Sequence, residues 1–103
     1  MMNGKAARQK GHSFELWIVN RLKALGYEAG SSRNESKKLD ALKVDIVDNT
    51  KFYIQAKAVE KLGNLHTILD SMPTGKTPVV YHKRNRQGTI VAMKLEDFET
   101  LCL

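Results

Sequence analysis

Residues Phe52 to Val59 alternate strictly, and no other stretch limits the fold more. At period two, Phe52, Ile54, Ala56 and Ala58 share one face, and Tyr53, Gln55, Lys57 and Val59 share the other. The first face is wholly apolar and must be covered by another layer. The second presents an amide and an ammonium two residues apart, aimed the same way. A strand so patterned belongs in a sheet with at least one helix packed on it.

The partner helix is written upstream. Phe14, Trp17, Ile18, Leu22 and Leu25 recur at helical spacing after Ser13, a plausible N-cap, and Gly26 supplies the stop. Met1 to Gly11 is polar and basic with two glycines, and reads as a flexible arm ahead of a single domain over residues 12–103. Tyr27 to Ser32 reads as a first strand, Arg33 to Leu39 as a loop, and Leu42 to Asp48 as a second strand. Asn49-Thr50 makes the tight connection to Phe52–Val59. A helix over Gly63 to Met72 ends at Pro73. Strands follow over Thr77 to His82 and Thr89 to Lys94, and Leu95 to Leu103 closes the chain as a helix with acids in its first turn. The order α-β-β-β-α-β-β-α predicts an α/β fold, a mixed central sheet flanked by helices.

Two acids sit where packing has no use for them. On the helical wheel Glu15 falls between Leu22 and Val19, within the apolar arc, where a carboxylate is costly unless paired or bound to metal; its position in the first helical turn is the plainer explanation. Asp45 interrupts the apolar run Val44-Asp45-Ile46-Val47. Acids on consecutive elements, followed by Gln55 and Lys57, suit an enzyme that holds a divalent cation against a phosphodiester, since hard cations take oxygen ligands and a lysine stabilises charge or orients water. Asp48 and Asp40 are less diagnostic: one begins a turn and the other ends a polar stretch.

The charge agrees with a phosphate-bearing partner. The chain of 103 residues carries a formal net charge of +6. Residues 40–60 invert the sign locally, with Asp40, Asp45, Asp48 and Glu60 against Lys43, Lys51 and Lys57. A basic body around an acidic centre is expected where phosphates dock beside a cation site; +6 also simply favours solubility. Lys83-Arg84-Asn85-Arg86 reads either as a solvated hairpin tip or as a phosphate clamp. The single cysteine, Cys102, forms no internal disulfide, no apolar run approaches the roughly 20 residues that span a bilayer, and the N-terminus does not read as a signal peptide, so a cytoplasmic protein with no membrane partner is expected. His12, His66 and His82 are too scattered for a zinc motif and read as surface or loop residues. Trp17, with Phe14, is expected in the core rather than as a base-stacking platform.

Taken together, Lys10-Gly11-His12-Ser13-Phe14-Glu15, Leu22-Lys23-Ala24-Leu25-Gly26-Tyr27-Glu28-Ala29, Ser31-Ser32-Arg33, Val44-Asp45-Ile46-Val47 and Ile54-Gln55-Ala56-Lys57 resemble the PD-(D/E)XK nuclease superfamily. Within it they are most similar to archaeal-type Holliday-junction resolvases and related phage endonucleases. The resemblance covers roughly residues 10–60; beyond them only the general order of elements agrees. It implies a restriction-endonuclease-like core and an Mg²⁺-dependent endonuclease, with Mn²⁺ able to substitute, that hydrolyses phosphodiesters in branched DNA as a homodimer. By the same resemblance Asp45 is a metal-binding aspartate, Lys57 the catalytic lysine and Glu15 the helix-borne acid completing the site. Ser31, Ser32 and Arg33 fall where such resolvases have a flexible loop near the scissile phosphate. Lys5, Arg8, Lys10, Arg84 and Arg86 are the remaining candidates for DNA contact. Two departures stand out. Val44 replaces the name-giving proline, which is not a ligand. Gln55 replaces the usual acid and removes a charge, although its carbonyl can still ligate a hard cation, and Asp40 could restore the charge if its loop folds back. The alternatives are a non-catalytic DNA-binding module on the same fold and a restriction-like duplex endonuclease.

Overall fold

The computed structural model describes residues 4–103. Its first element, α1 (Gly4–Ala24), starts well before the expected cap at Ser13 and takes in most of the expected arm. Ala6, Ala7, Arg8, Gln9 and Lys10 are among the strongest helix formers, which offsets the cost of Gly11. Met1, Met2 and Asn3 lie outside the described residues. The end of α1 falls where Gly26 predicts it. Gly26 has φ 96°, its N–H donates to Lys23, and Tyr27 N–H reaches back to Leu22 at 3.0 Å, the two bonds of a Schellman cap.

The remaining elements are β1 (Ala29–Ser31), α2 (Ser32–Glu35), α3 (Lys37–Ala41), β2 (Ile46–Asp48), β3 (Phe52–Lys57), α4 (Leu65–Asp70), β4 (Thr77–Lys83), β5 (Thr89–Ala92) and α5 (Leu95–Cys102). The five strands lie in the order β1-β2-β3-β4-β5. Only β3 and β4 run parallel, joined through α4; the other neighbours are antiparallel. The sheet is therefore mixed and flanked by helices, as the pattern predicts.

Two differences reshape the region between β1 and β2. The expected loop over Arg33 to Leu39 is two short helices, and Ser36 caps the second by accepting from Leu39 N–H at 3.2 Å. The second strand begins at Ile46 rather than Leu42, because Lys43 turns left-handed at φ 69° and Val44 N–H returns to Leu39, which closes α3 instead of extending the ladder.

The core has two compartments. On one face of the sheet, Phe14, Ile18, Val19 and Leu22 of α1 pack on Ile46, Ile54 and Val79, with Phe52, Ala56 and Ala58 at the margin. On the other, Val44, Leu69, Met72 and Val80 pack together with Leu39 and Tyr53. The apolar face of Phe52–Ala58 is thus buried under α1, as its alternation requires. Asp48 has the turn role expected of it, accepting from Thr50 N–H at 2.8 Å across the β2–β3 connection.

Candidate functional site

Asp45 lies at the threshold of β2, and three main-chain bonds fix it. Its N–H donates to Ile54 and its carbonyl accepts from Ser32 N–H, both at 2.9 Å. Its side-chain Oδ2 accepts from Ala56 N–H at 2.8 Å. That last bond holds the carboxylate over β3 at the step between Gln55 and Lys57. Burial pushes the Asp45 carboxyl up to about 6; the Ala56 N–H opposes this, the charge of Glu15 raises it further, Lys57 lowers it, and Asp40 raises it. Glu15, Asp40 and Lys57 come from α1, α3 and β3, so the residues that the sequence marks separately are brought within electrostatic reach of one carboxylate.

Gln55 faces the α4 side of the sheet with Tyr53 and Lys57. It is 7% exposed, and its Oε1 is buried with no hydrogen-bond partner among the described residues. A buried carbonyl oxygen without a donor costs about 1–3 kcal/mol. Gln55 directly precedes Ala56, whose N–H holds the Asp45 carboxylate. Lys57 is half-buried and, among the described residues, forms no ion pair.

Glu15 occupies the inner side of α1, and its carboxylate pairs with Arg33 of α2 at 2.5 Å. Asp40 is exposed on α3 and accepts from the Ser32 hydroxyl at 3.4 Å, so the segment before Asp45 does fold back toward it. Among the described residues no three His, Cys, Asp or Glu side chains are clustered as a metal cage.

The candidate DNA contacts divide. Ser32 is 1% exposed and its hydroxyl is turned to Asp40, so its expected place at a phosphate does not hold; it supports the site from within. Ser31 Oγ is buried without a partner among the described residues, while Arg33 is exposed. Lys5 and Arg8 are exposed on the first turns of α1. Lys10 reaches Asn85 Oδ1 at 2.5 Å, and Asn85 N–H donates to Glu60, so the N-terminal half of α1 joins the β4–β5 tip that carries exposed Arg84 and Arg86. Between them lies a groove of about 450 Å³, flanked by Lys10, Ser13, Trp17 and Lys83. Two basic regions distant in sequence thereby form one surface.

Trp17 is not a core residue. It is 42% exposed, stacks on Phe14 at 5.9 Å, and carries the Arg21 guanidinium over its ring at 5.3 Å. His12 and His66 are exposed as expected, but His82 is buried. His82 stands opposite Lys57 in the parallel β3–β4 register, and its Nε2 lies 2.8 Å from the Val59 carbonyl. Since a carbonyl only accepts, Nε2 holds the proton. The signal for it was present: His82 is two residues from Val80, on the strand face that accompanies Gln55 and Lys57.

Comparison with models of known protein families, with curated proteins and with solved structures finds no match to this chain.

Proposed function

We propose that this protein is a metal-dependent DNA endonuclease with a restriction-endonuclease-like core, related to the PD-(D/E)XK superfamily and acting on branched DNA. One observation carries the reading. Asp45, whose carboxyl is pushed up to about 6 by burial and by neighbouring acids, is held by Ala56 N–H, between Lys57 and Gln55, whose buried oxygen has no partner among the described residues. A desolvated acid and an orphaned buried carbonyl each carry a cost, and a dication bound by both would remove the two penalties at once.

The donor set fits a hard cation. Asp45 and Gln55 supply carboxylate and amide oxygens, Glu15 supplies a second carboxylate when free of Arg33, and Asp40 adds charge from the rim. Bound there, Mg²⁺ would act as a Lewis acid on the phosphoryl oxygen. The protein's own contributions are separate from that. Lys57 places a positive charge beside the phosphate, where it stabilises developing charge and orients the attacking water. The Asp45 main chain, pinned to Ser32 and Ile54, keeps the carboxylate in place without reorganisation, the property that makes electrostatic stabilisation effective. Lys5, Arg8, Arg84 and Arg86 hold the backbone, which positions the substrate without reading its sequence.

A symmetric junction needs two matched cuts, so a twofold dimer is the assembly this reading calls for. No helix among the described residues is long and apolar enough to cross a membrane. The test is incubation of the full chain with a labelled four-way junction and a matched duplex, with Mg²⁺ or with EDTA. Cutting of the junction in Mg²⁺ and none in EDTA is the expected result. Binding without cutting would favour the DNA-binding module, and equal cutting of duplex the restriction-like enzyme.

A further inference from the structure

The ion pair between Glu15 and Arg33 ties an acid of α1 to an exposed arginine of α2. The Arg33 side chain is 36% exposed and that of Glu15 15%, so the guanidinium closes over the carboxylate from the solvent side. Both line a groove of about 330 Å³ between α1 and the β1–α2 step. While the pair stands, Glu15 is neutralised from outside and less available to a cation near Asp45.

The main chain that carries Arg33 is fixed. Ser32 N–H donates to the Asp45 carbonyl at 2.9 Å, and Ser36 N–H closes α2 on Ser32 at 2.8 Å. The arginine side chain is long and exposed, and can turn outward without breaking these main-chain bonds. A guanidinium forks onto two phosphate oxygens as readily as onto a carboxylate.

From this we infer that Arg33 couples phosphate binding to metal binding: without DNA it holds Glu15, and a docked phosphodiester draws the guanidinium away and frees the carboxylate for the cation. Arg33 is then a positioning residue acting through Glu15. The inference rests on the metal-dependent reading above and adds an order to it, with cation binding weak until DNA arrives. Because linkage is reciprocal, the cation in turn tightens the hold on phosphate.

The test follows free Mn²⁺ by electron paramagnetic resonance with full-length protein, with and without a short duplex. A part-exposed ion pair is worth up to about 1 kcal/mol, so Arg33→Gln is expected to bind Mn²⁺ about fivefold tighter than wild type without DNA. Arg33→Lys, which keeps the charge, should stay near wild type. Added duplex should tighten Mn²⁺ binding more in wild type than in Arg33→Gln. In a Glu15→Gln background the Arg33→Gln gain should disappear, which separates a specific contact from a general change of charge. Equal Mn²⁺ affinity in wild type and Arg33→Gln, or the same gain with Glu15 already replaced, would overturn the coupling while leaving the metal site standing. No Mn²⁺ binding by any of the proteins, with or without duplex, would overturn the metal-dependent reading and the coupling with it.

Discussion

The two faces of β3 obey one alternation and are built for opposite ends. Phe52, Ile54 and Ala56 meet α1 in a closed hydrocarbon layer, with Ile54 1% exposed. On the reverse, Tyr53 begins against Leu69 and Val80, but two residues on the packing gives way to Gln55, with its orphaned oxygen, and then to Lys57. The first face stabilises the chain. The second gives stability up at its far end, near which the partly buried Asp45 carboxylate accepts from Ala56 N–H. Proteins commonly carry such costs where chemistry is done, and the difference between the faces is measurable.

The largest stability effect belongs to the closed face. Ile54→Ala should lower unfolding free energy by about 3 kcal/mol, read from the urea midpoint, because a fully buried side chain leaves a cavity. A loss under about 1 kcal/mol would mean the layer is looser than its burial implies.

The open face should respond with the opposite sign. Asp45 titrates at about 6 in the folded chain against an ordinary 3.8, so the folded state takes up its proton first as pH falls. The stability this group gives is complete below 3.8 and lost as pH rises through about 6. Asp45→Asn cannot ionise, so at about pH 8 it should be more stable than wild type by about 1–2 kcal/mol, a gain that fades by about pH 4. Thermal melts across that range check it, and a constant difference would remove burial of the charge as the cause.

A smaller effect should come from Gln55→Glu, which sets a second acid beside Asp45. Without metal it should cost about 1 kcal/mol at neutral pH through like-charge repulsion. With Mg²⁺ the variant should recover more stability than wild type does, since the added charge strengthens the ligand set. Equal melting of the two proteins in a Mg²⁺ titration would show Gln55 to be a bystander and shift attention to Asp40.

What the sequence made legible follows from range. The β3 alternation, the Gly26 stop and the Asp48 turn are local signals, and each appears where expected. The start of α1 was hidden because a polar, glycine-bearing stretch looks like an arm, although Ala6 to Lys10 favour helix strongly. Helices α2 and α3 are too short for periodicity, and only the Ser36 cap hinted at the second. Asp45 and Lys57 could be related because one lies at the start of β2 and the other on the neighbouring strand β3. The Arg33–Glu15 pair could not, since its partners stand 18 positions apart in the chain with β1 between their helices. Trp17 shares the helical spacing of the buried residues but lies at the edge of their arc, 42% exposed, and His82 was read by counting histidines for a zinc motif instead of following its strand.

We propose that Asp45 and Lys57 form a hydrolytic site and not merely a binding surface. Single-turnover cleavage of a labelled four-way junction in Mg²⁺, run beside a binding titration in EDTA, tests it most directly. Asp45→Asn and Lys57→Ala should each abolish cutting while leaving junction affinity within about tenfold of wild type, because metal and lysine act on the transition state and binding rests on many phosphate contacts. Full cleavage by either variant would contradict the account.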